Sequence, residues 1–293
     1  MAEFIISAFA DEAGITPEEQ IEALQRNGIR FIEPRFFNKK GVLALSDEEL
    51  IEIKKALDKA NIKVNSLGSP IGKYPINEPF EKHLEDFKRA IEVCKILDTK
   101  NIRIFSFFIP KGESPEKYSD EVIARMTRFS EIAKKNGITL NHENEKDIFG
   151  QNPPEVDYLV ENLPDIKFIF DGANYRMAGC DVHAGMSASI KNFGYFHIKD
   201  AIHETQTIVP VGEGEAHYED MIRLVDEKID GTVYMTIEPH LHVFDAFKSI
   251  DNTELRGKYS FASNREAFDF ATSALKKLLT KLGFKENDGI WKK

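Results

Sequence analysis

The sequence predicts an α/β fold in which eight parallel strands form a (β/α)₈ TIM barrel. Eight short runs rich in Ile, Val, Phe and Tyr recur along the 293 residues, as expected for buried strands. Segments with helical spacing separate these runs, and repeated strand–helix alternation indicates parallel pairing through crossover helices. A doubly wound sheet is the alternative, but the first turn, "FADEAGIT", lacks the glycine-rich dinucleotide fingerprint typical of that fold.

The predicted strands are seven or eight residues long, and helices separate them. The strands begin at Phe4, Ile29, Ile62, Asn101, Ile138, Ile166, Phe193 and Thr232. Three helices open with a capping box, in which Ser or Thr precedes Glu by three residues, over 16–28, 46–61 and 263–283. Further helical segments cover 78–98, 115–136, 153–163 and 217–228, with a weaker one over 181–191.

Composition predicts a single soluble domain over residues 1–293, because no linker or composition break divides the chain. No apolar run approaches the roughly 20 residues that a membrane span needs. The N-terminal "MAEFIISAFADEAG" has no basic region before its apolar stretch, which favours a buried strand over a signal peptide. Cys94 and Cys180 are the only cysteines and imply no disulfide framework, so a cytoplasmic location is expected.

The net charge of the chain limits the kinds of partner that we expect it to bind. The chain carries 39 Lys and Arg residues against 49 Asp and Glu residues, for a formal net charge of −10. Binding to a nucleic-acid backbone depends on clustered cations, so this balance argues against a DNA or RNA partner. A small anionic ligand remains possible, since it needs only a local basic pocket.

Ionisable residues end four consecutive predicted strands, at Glu143, Asp171, His197 and Glu238. Period-two alternation turns all four inward, at the end of the barrel where TIM-barrel active sites lie. One polar residue at a strand end is usually solvated, but four in succession suggest a site. Three carboxylates would repel one another in a partly dry barrel mouth, and a divalent cation would offset that repulsion. The set suits manganese, magnesium, cobalt or zinc.

Other polar residues near the strand ends are candidates for substrate contact. Glu33 and Arg35 end strand two, and Arg35 is the better candidate for an anionic group. Lys199 follows His197 by two positions and is expected to reach a substrate oxygen, while Asp200 is expected in a loop or behind the ligands. His197 is expected to bind metal through one neutral ring nitrogen, with an acceptor holding the other.

The segment from 239 to 262 is long for a connection between a strand and a helix, and long connections of this kind often act as lids. We therefore expect it to cover the site when substrate is bound, with Tyr259 or Phe261 excluding water.

The order of several motifs resembles the sugar phosphate isomerase/epimerase family, whose members are xylose isomerase-like barrels. The resemblance covers residues 7 to 241 and rests on "SAFADEAG", "IEPRFF", "GSPIGK", "HENE", "FDGAN", "YFHIKDA", "PVGEGEAHYEDM" and "IEPHL". It implies one divalent metal held by Glu143, Asp171, His197 and Glu238. In the ketose 3-epimerases of the family, two metal-bound glutamates move the proton, and Glu143 and Glu238 match their positions.

The chain departs from the epimerase pattern at three places. Asn174 stands where many members have a His after the strand-six Asp, and His203 where epimerases often have an Arg. Phe149 stands where a further Glu is common, although Glu145 lies close by in sequence. The resemblance thus supports the metal site more than ketose specificity. We include Asn174, His203 and Glu145 among the candidate substrate-binding residues.

The resulting hypothesis is a metal-dependent isomerase or epimerase of a sugar or related polyhydroxy carbonyl compound, with proton transfer through an enediolate. A dehydratase of a cyclic polyol or keto-sugar would use the same site, and a non-catalytic carbohydrate-binding barrel is a further alternative. Abasic-site endonucleases of the superfamily add histidines at strands three and four, whereas "SLGSP" and "RIFSFF" contain none here. A homo-oligomer is compatible with the sequence.

Overall fold

The computed structural model describes residues 1–241 and 259–293, and strands lie at all eight predicted places. The barrel strands are β1 (Ala2–Ala8), β2 (Phe31–Ile32), β3 (Lys63–Val64), β4 (Asn101–Ile104), β5 (Thr139–Glu143), β6 (Lys167–Asp171), β7 (Phe193–Ile198) and β8 (Gly231–Ile237). Neighbouring strands pair in parallel, which confirms the predicted fold class.

The predicted helices are also present, with ends that differ by a few residues. The helices are α1 (Pro17–Arg26), α2 (Asp47–Lys59), α3 (Phe80–Leu97), α4 (Ser119–Lys135), α5 (Pro153–Asn162), α6 (Gly172–Met177), α7 (Val182–Ser189), α8 (Tyr218–Lys228) and α9 (Asn264–Lys281). Short 3₁₀ helices cover Ala10–Glu12, Val42–Ala44, Pro115–Tyr118, Phe149–Gln151 and Ile190–Asn192. Sequence analysis did not predict α6.

Helix starts follow the predicted capping chemistry. At α1 the hydroxyl of Thr16 accepts a hydrogen bond from the backbone N–H of Glu19, whose carboxylate accepts from the backbone of Thr16. The reciprocal pair recurs at α2. At α9, Ser263 accepts from Glu266, whose carboxylate instead bonds the backbone N–H of Ala262. Each device satisfies N–H groups that a helix start leaves without partners.

The strands surround a central axis, but their ladder is not one closed ring. Regular pairing runs continuously through β1, β8, β7, β6, β5 and β4, whereas β2 and β3 form a separate pair. At one gap, the backbone N–H of Glu33 donates to the carbonyl of Ala8 over 3.0 Å. At the other gap, Leu67 donates to Asn101 over 2.8 Å and accepts from Arg103 over 3.0 Å. Isolated backbone hydrogen bonds therefore join the two parts.

A C-terminal hairpin accounts for the first gap. Its strands, Lys285–Asn287 and Ile290–Lys292, follow α9, and the second pairs antiparallel with β1. Because Trp291 and Ile290 pair with Phe4 and Ile5, the hairpin occupies the part of β1 that β2 would otherwise extend along. Sequence analysis did not predict this hairpin.

The strands bury apolar side chains against the helices and leave polar side chains on the inner face. Phe168, Phe170 and Phe196 are fully buried. The rings of Phe170 and Phe196 meet edge to face, with centroids 6.0 Å apart. This alternation points the intervening side chains of β6 and β7 toward the barrel axis, as predicted. No helix in the described residues combines the length and apolarity of a membrane span.

Candidate metal centre and substrate cavity

The four predicted ligands converge at the carboxyl ends of β5 to β8. Glu143 and Asp171 are the last residues of β5 and β6, His197 lies near the end of β7, and Glu238 directly follows β8. One ligand atom from each lies within 4.8 Å of those of the others. All four are buried, with exposed fractions of 0–4%. Strand pairing explains the proximity, because Asp171 and His197 are direct partners in the β6–β7 ladder.

His197 points one ring nitrogen at the cluster and the other at a buried acid. Its Nδ1 lies 2.9 Å from Oε1 of Glu143 and 3.8 Å from Oε2 of Glu238. Its Nε2 lies 3.4 Å from Oε2 of Glu33. Nδ1 is therefore the atom available to a metal, and Glu33 is the acceptor expected for the other nitrogen.

Glu33 lies under His197 and not along the substrate cavity. Its carboxylate is fully buried and accepts hydrogen bonds from the hydroxyls of Tyr195 and Thr236, each over 2.8 Å. These donors come from β7 and β8, so three strands fix the carboxylate. Such an arrangement holds the imidazole in orientation, whereas the sequence led us to expect Glu33 in the substrate pocket.

Three cations contact the ligand carboxylates, of which Lys199 and Arg103 are buried and Arg35 is half-buried. The ammonium of Lys199 lies 2.9 Å from Asp171 and 3.0 Å from Glu238. Arg103 lies 3.2 Å from Glu143, and Arg35 lies 3.1 Å from Glu238. Opposite charges at these distances favour the ionised carboxylates in a site where burial opposes charge. The cations also fix the second oxygens of Glu143 and Glu238.

Burial and neighbouring charges shift the pKa values of the ligands in different directions. Burial raises the pKa of Asp171 to about 7. Burial would also raise the pKa of Glu143, but the charges of His197 and Arg103 lower it to about 2. Burial alone would lower the pKa of His197, but Glu143 and Glu33 raise it to about 10. A histidine binds a metal ion through an unprotonated ring nitrogen, so we expect metal binding to depend on pH.

A second acidic group lies next to the first. Glu12, Glu238 and His240 bring ligand atoms within 4.8 Å of one another. Nε2 of His240 lies 2.6 Å from Oε1 of Glu238, and the backbone N–H of His240 donates to Glu12. The guanidinium of Arg35 lies 2.9 Å from Glu12, and this group is less buried than the first, because Glu12 is half-buried and His240 is exposed. His240 is better described as a neighbour that orients Glu238.

A cavity of about 1010 Å³ opens above the cluster. Of the predicted substrate-binding residues, Arg35, Lys199, Asn174 and Glu145 line it. Glu145 pairs across the rim with Lys73, at 2.9 Å. These positions are consistent with contact to a ligand.

Of the remaining predictions, His203 falls within the described residues and most of the covering segment does not. His203 is exposed on the turn between the strands Asp200–Ile202 and Thr207–Val209, and its Nδ1 lies 2.9 Å from the carbonyl of Arg176. His203 does not line the cavity. The predicted covering segment includes residues 242–258, which lie outside the described residues, so its role stays a prediction.

Asp200 organises the loop beside the cavity. Its carboxylate accepts four backbone N–H groups, from Ala201, Gly212, Gly214 and Ala216, over 2.9–3.2 Å. A Cβ on Gly214 would lie 2.3 Å from the carboxylate, so this close approach requires glycine. We expected Asp200 in a loop or behind the ligands, whereas it begins the strand Asp200–Ile202 and anchors residues 210–216.

A model of the xylose isomerase-like TIM barrel family matches residues 21–253 of the chain. The chain belongs to this family. No curated protein matches its sequence.

Several solved structures share the fold of this xylose isomerase-like barrel. A structure of the IolI protein with a binding zinc atom has a TM-score of 0.72 at 16% identity, covering 95% of this chain and 99% of its own. The probable 3-DHS dehydratase AsbF from Bacillus anthracis has a TM-score of 0.69 at 14% identity, covering 94% and 99%. The 3-keto-D-glucoside 4-epimerase YcjR from E. coli has a TM-score of 0.65 at 15% identity, covering 96% and 100%. At such identities the likeness shows the fold alone.

Sequence analysis of this xylose isomerase-like barrel missed Arg103, and it favoured a plain turn over a ligand contact for Lys73. Arg103 lies inside β4 between two isoleucines and is only 7% exposed. A lone cation within a short buried strand was the available signal, because burial of an unpaired charge is costly. Lys73 lies in an irregular segment, where spacing carries no information about direction.

Proposed function

We propose that this chain is a divalent-metal-dependent isomerase or epimerase of a sugar or a related polyhydroxy carbonyl compound. The observation that carries the proposal is the buried cluster of Glu143, Asp171, His197 and Glu238 at the foot of a large cavity. The structural neighbours include proteins named as an epimerase and a dehydratase, which supports chemistry next to a carbonyl group.

The donor set fits a divalent metal. Three carboxylates and an imidazole are ligands that manganese, magnesium, cobalt and zinc accept. Nδ1 of His197 faces the carboxylates. The carboxylate of Glu33 lies near Nε2, on the other side of the ring, where it would orient the imidazole. A bound ion would polarise a substrate carbonyl and acidify the neighbouring C–H bond.

Glu143 and Glu238 are proposed to move the proton. They enter the cluster from β5 and from the end of β8, and their carboxylates lie 2.9 and 3.8 Å from Nδ1 of His197. The pKa of Glu238 is well below its usual value because Lys199 and Arg35 outweigh burial, and that of Glu143 is also low. Both side chains are therefore carboxylates at neutral pH, the form that accepts a proton. One carboxylate would accept the proton from the substrate carbon, and the other glutamate, after taking a proton from solvent, would donate that proton to the opposite face of the carbon.

Deuterium exchange tests this function. The protein would be incubated in D₂O with Mn²⁺ and a panel of ketoses and keto-glycosides, and the proton signals next to each carbonyl followed by NMR. We expect metal-dependent loss of one such signal, and no loss with His197→Ala, which lacks a ligand. Binding of a sugar without exchange, in protein with full metal occupancy, would favour the non-catalytic carbohydrate-binding barrel.

The product formed under the same conditions separates isomerisation from the dehydratase alternative. Lys199 supports the alternative, because its ammonium lies 3.0 Å from Glu238 and can donate to a departing hydroxyl. A dehydratase would release water and give an unsaturated product with new ultraviolet absorbance. An isomerase or epimerase would keep every hydroxyl group.

A further inference from the structure

The cavity above the metal cluster has a polar floor and an apolar upper wall. We call the apolar side chains of that wall the apolar belt, which consists of Phe36, Leu43, Ala44, Met177, Ala178 and Ile208. They come from the segments that follow β2, β6 and β7, on two sides of the barrel mouth. The floor carries Glu143, Lys199 and Glu238.

Part of the apolar belt is exposed to solvent, which is unfavourable for apolar side chains. Phe36 is 48% exposed and is one of three large hydrophobic residues that are at least this exposed in the described part of the chain. It lies on the hairpin formed by Phe36–Phe37 and Lys40–Gly41. Across the mouth, Ile208 is half-buried in the other hairpin. Apolar groups that line a concave surface with polar groups at its base are typical of a ligand pocket.

The cavity is larger than the space that a sugar bound to the polar floor would fill. About 1010 Å³ lies at the upper end of the roughly 300–1,000 Å³ found for pockets that hold drug-sized ligands. A second hollow of about 620 Å³ shares the lining residues Lys146, Asp147 and Gln151 with the cavity. A hexose bound through its hydroxyl groups to the floor would leave the apolar belt uncovered.

We propose that the substrate is a sugar that carries an apolar aryl or alkyl substituent, and that the apolar belt binds this substituent. The inference rests on the proposed function for its polar half and adds the substrate class. The sugar ring lies over the floor, where carboxylates and cations offer partners to hydroxyl groups. The substituent packs between Phe36 and Ile208, where burial of apolar surface stabilises the complex.

Paired glucosides test the apolar belt separately from the reaction. Binding of methyl β-D-glucoside and phenyl β-D-glucoside to the Mn²⁺-loaded protein would be measured by calorimetry. Neither compound has a carbonyl group, so neither depends on proton transfer. We expect the phenyl glucoside to bind at least about tenfold more tightly, from burial of its ring. Equal affinities, or no binding of either compound, would overturn the proposal even if keto-sugars undergo exchange.

A matched pair of variants tests the location. Phe36→Ala should remove most of the advantage of the phenyl glucoside and leave the affinity for the methyl glucoside unchanged. Ile51→Ala is the control, because Ile51 is similarly exposed, at 44%, but lies on α2 and does not line the cavity. A Phe36→Ala variant that weakens both glucosides equally, or neither, would contradict the assignment. Circular dichroism would confirm that both variants keep the fold.

Discussion

The ammonium of Lys199 lies 2.9 Å from Oδ2 of Asp171, inside the cluster of four proposed metal ligands. The same ammonium lies 3.0 Å from Glu238, and only 7% of the lysine is exposed. The pKa of Lys199 is well above its usual value, because Asp171 and Glu238 outweigh the opposing effect of burial. Lys199 is thus a permanent cation that shares carboxylates with any bound metal.

Removal of this cation should destabilise the protein when metal is withheld. Lys199→Met leaves buried carboxylates without their closest cation, and loss of one partner of a buried pair typically costs about 3–5 kcal/mol. Urea unfolding at pH 8 with a chelator would measure the loss, and Mn²⁺ should restore part of it. Lys73→Met is the control, since its rim pair is partly solvated and should contribute at most about 1 kcal/mol. Equal effects of the two substitutions would contradict this account.

Glu33 should control metal affinity without touching the metal. Glu33→Gln keeps the shape of the side chain but removes the negative charge 3.4 Å from Nε2 of His197. Substitution of such an acceptor typically weakens metal binding about 10–100-fold. Competition with a chromophoric chelator would measure the change. Glu145→Gln, at the cavity rim, should leave metal affinity unaltered; if Glu33→Gln does so as well, Glu33 has no orienting role.

Asp200 should contribute to stability and not to metal binding. Asp200→Asn removes the charge that accepts four backbone N–H groups and places a donor among them. Hydrogen bonds to charged groups contribute roughly 1.5–3 kcal/mol each, so the free energy of unfolding should fall by at least about that amount. Thermal and urea unfolding would measure it. An unchanged free energy, or a large loss of metal affinity in the folded variant, would argue against the anchoring role.

His142 should make the protein less stable in acid. This side chain is fully buried on β5 behind the cluster, with Nε2 2.9 Å from the hydroxyl of Ser106. Burial lowers its pKa to about 3, against about 6.5 in an unfolded chain. The unfolded state therefore binds the proton first, and stability is lost as the pH falls from about 6.5 toward 3, by up to about 1.4 kcal/mol per pH unit.

Unfolding at several pH values would isolate this contribution. The free energy of unfolding of His142→Gln should depend less steeply on pH between about 6.5 and 4 than that of the wild type. Identical slopes for the two proteins would show that His142 is not buried in the neutral form.

The barrel was predictable because its strands are local patterns. The hydrophobic runs of β5 to β8 and the capping residues at Thr16 and Ser46 each encode an element within a few positions of the chain. The short lengths of β2 and β3 were not predictable. The gap beside β2 depends on a C-terminal hairpin that pairs with β1 from more than 280 residues away.

The metal ligands were predictable for a related reason, since parallel strands bring their last residues to one end of the barrel. The direction in which Glu33 points was not, because it depends on hydroxyl donors from β7 and β8. Arg103 was not predicted as a site residue, because its partner, Glu143, lies 40 residues away on the next strand. Contacts between strands decide these positions, and spacing within a strand does not report them.

The most direct test of the central claim compares Glu143→Gln with Glu238→Gln, in protein whose metal content is confirmed by elemental analysis. Gln preserves the shape and one oxygen but cannot act as the base, so turnover should fall about 10²–10⁴-fold in each variant. Exchange of the substrate proton with D₂O should persist in each variant from one epimer only, and from opposite epimers in the two. Near-wild-type turnover by both variants at full metal occupancy would contradict the paired-glutamate mechanism.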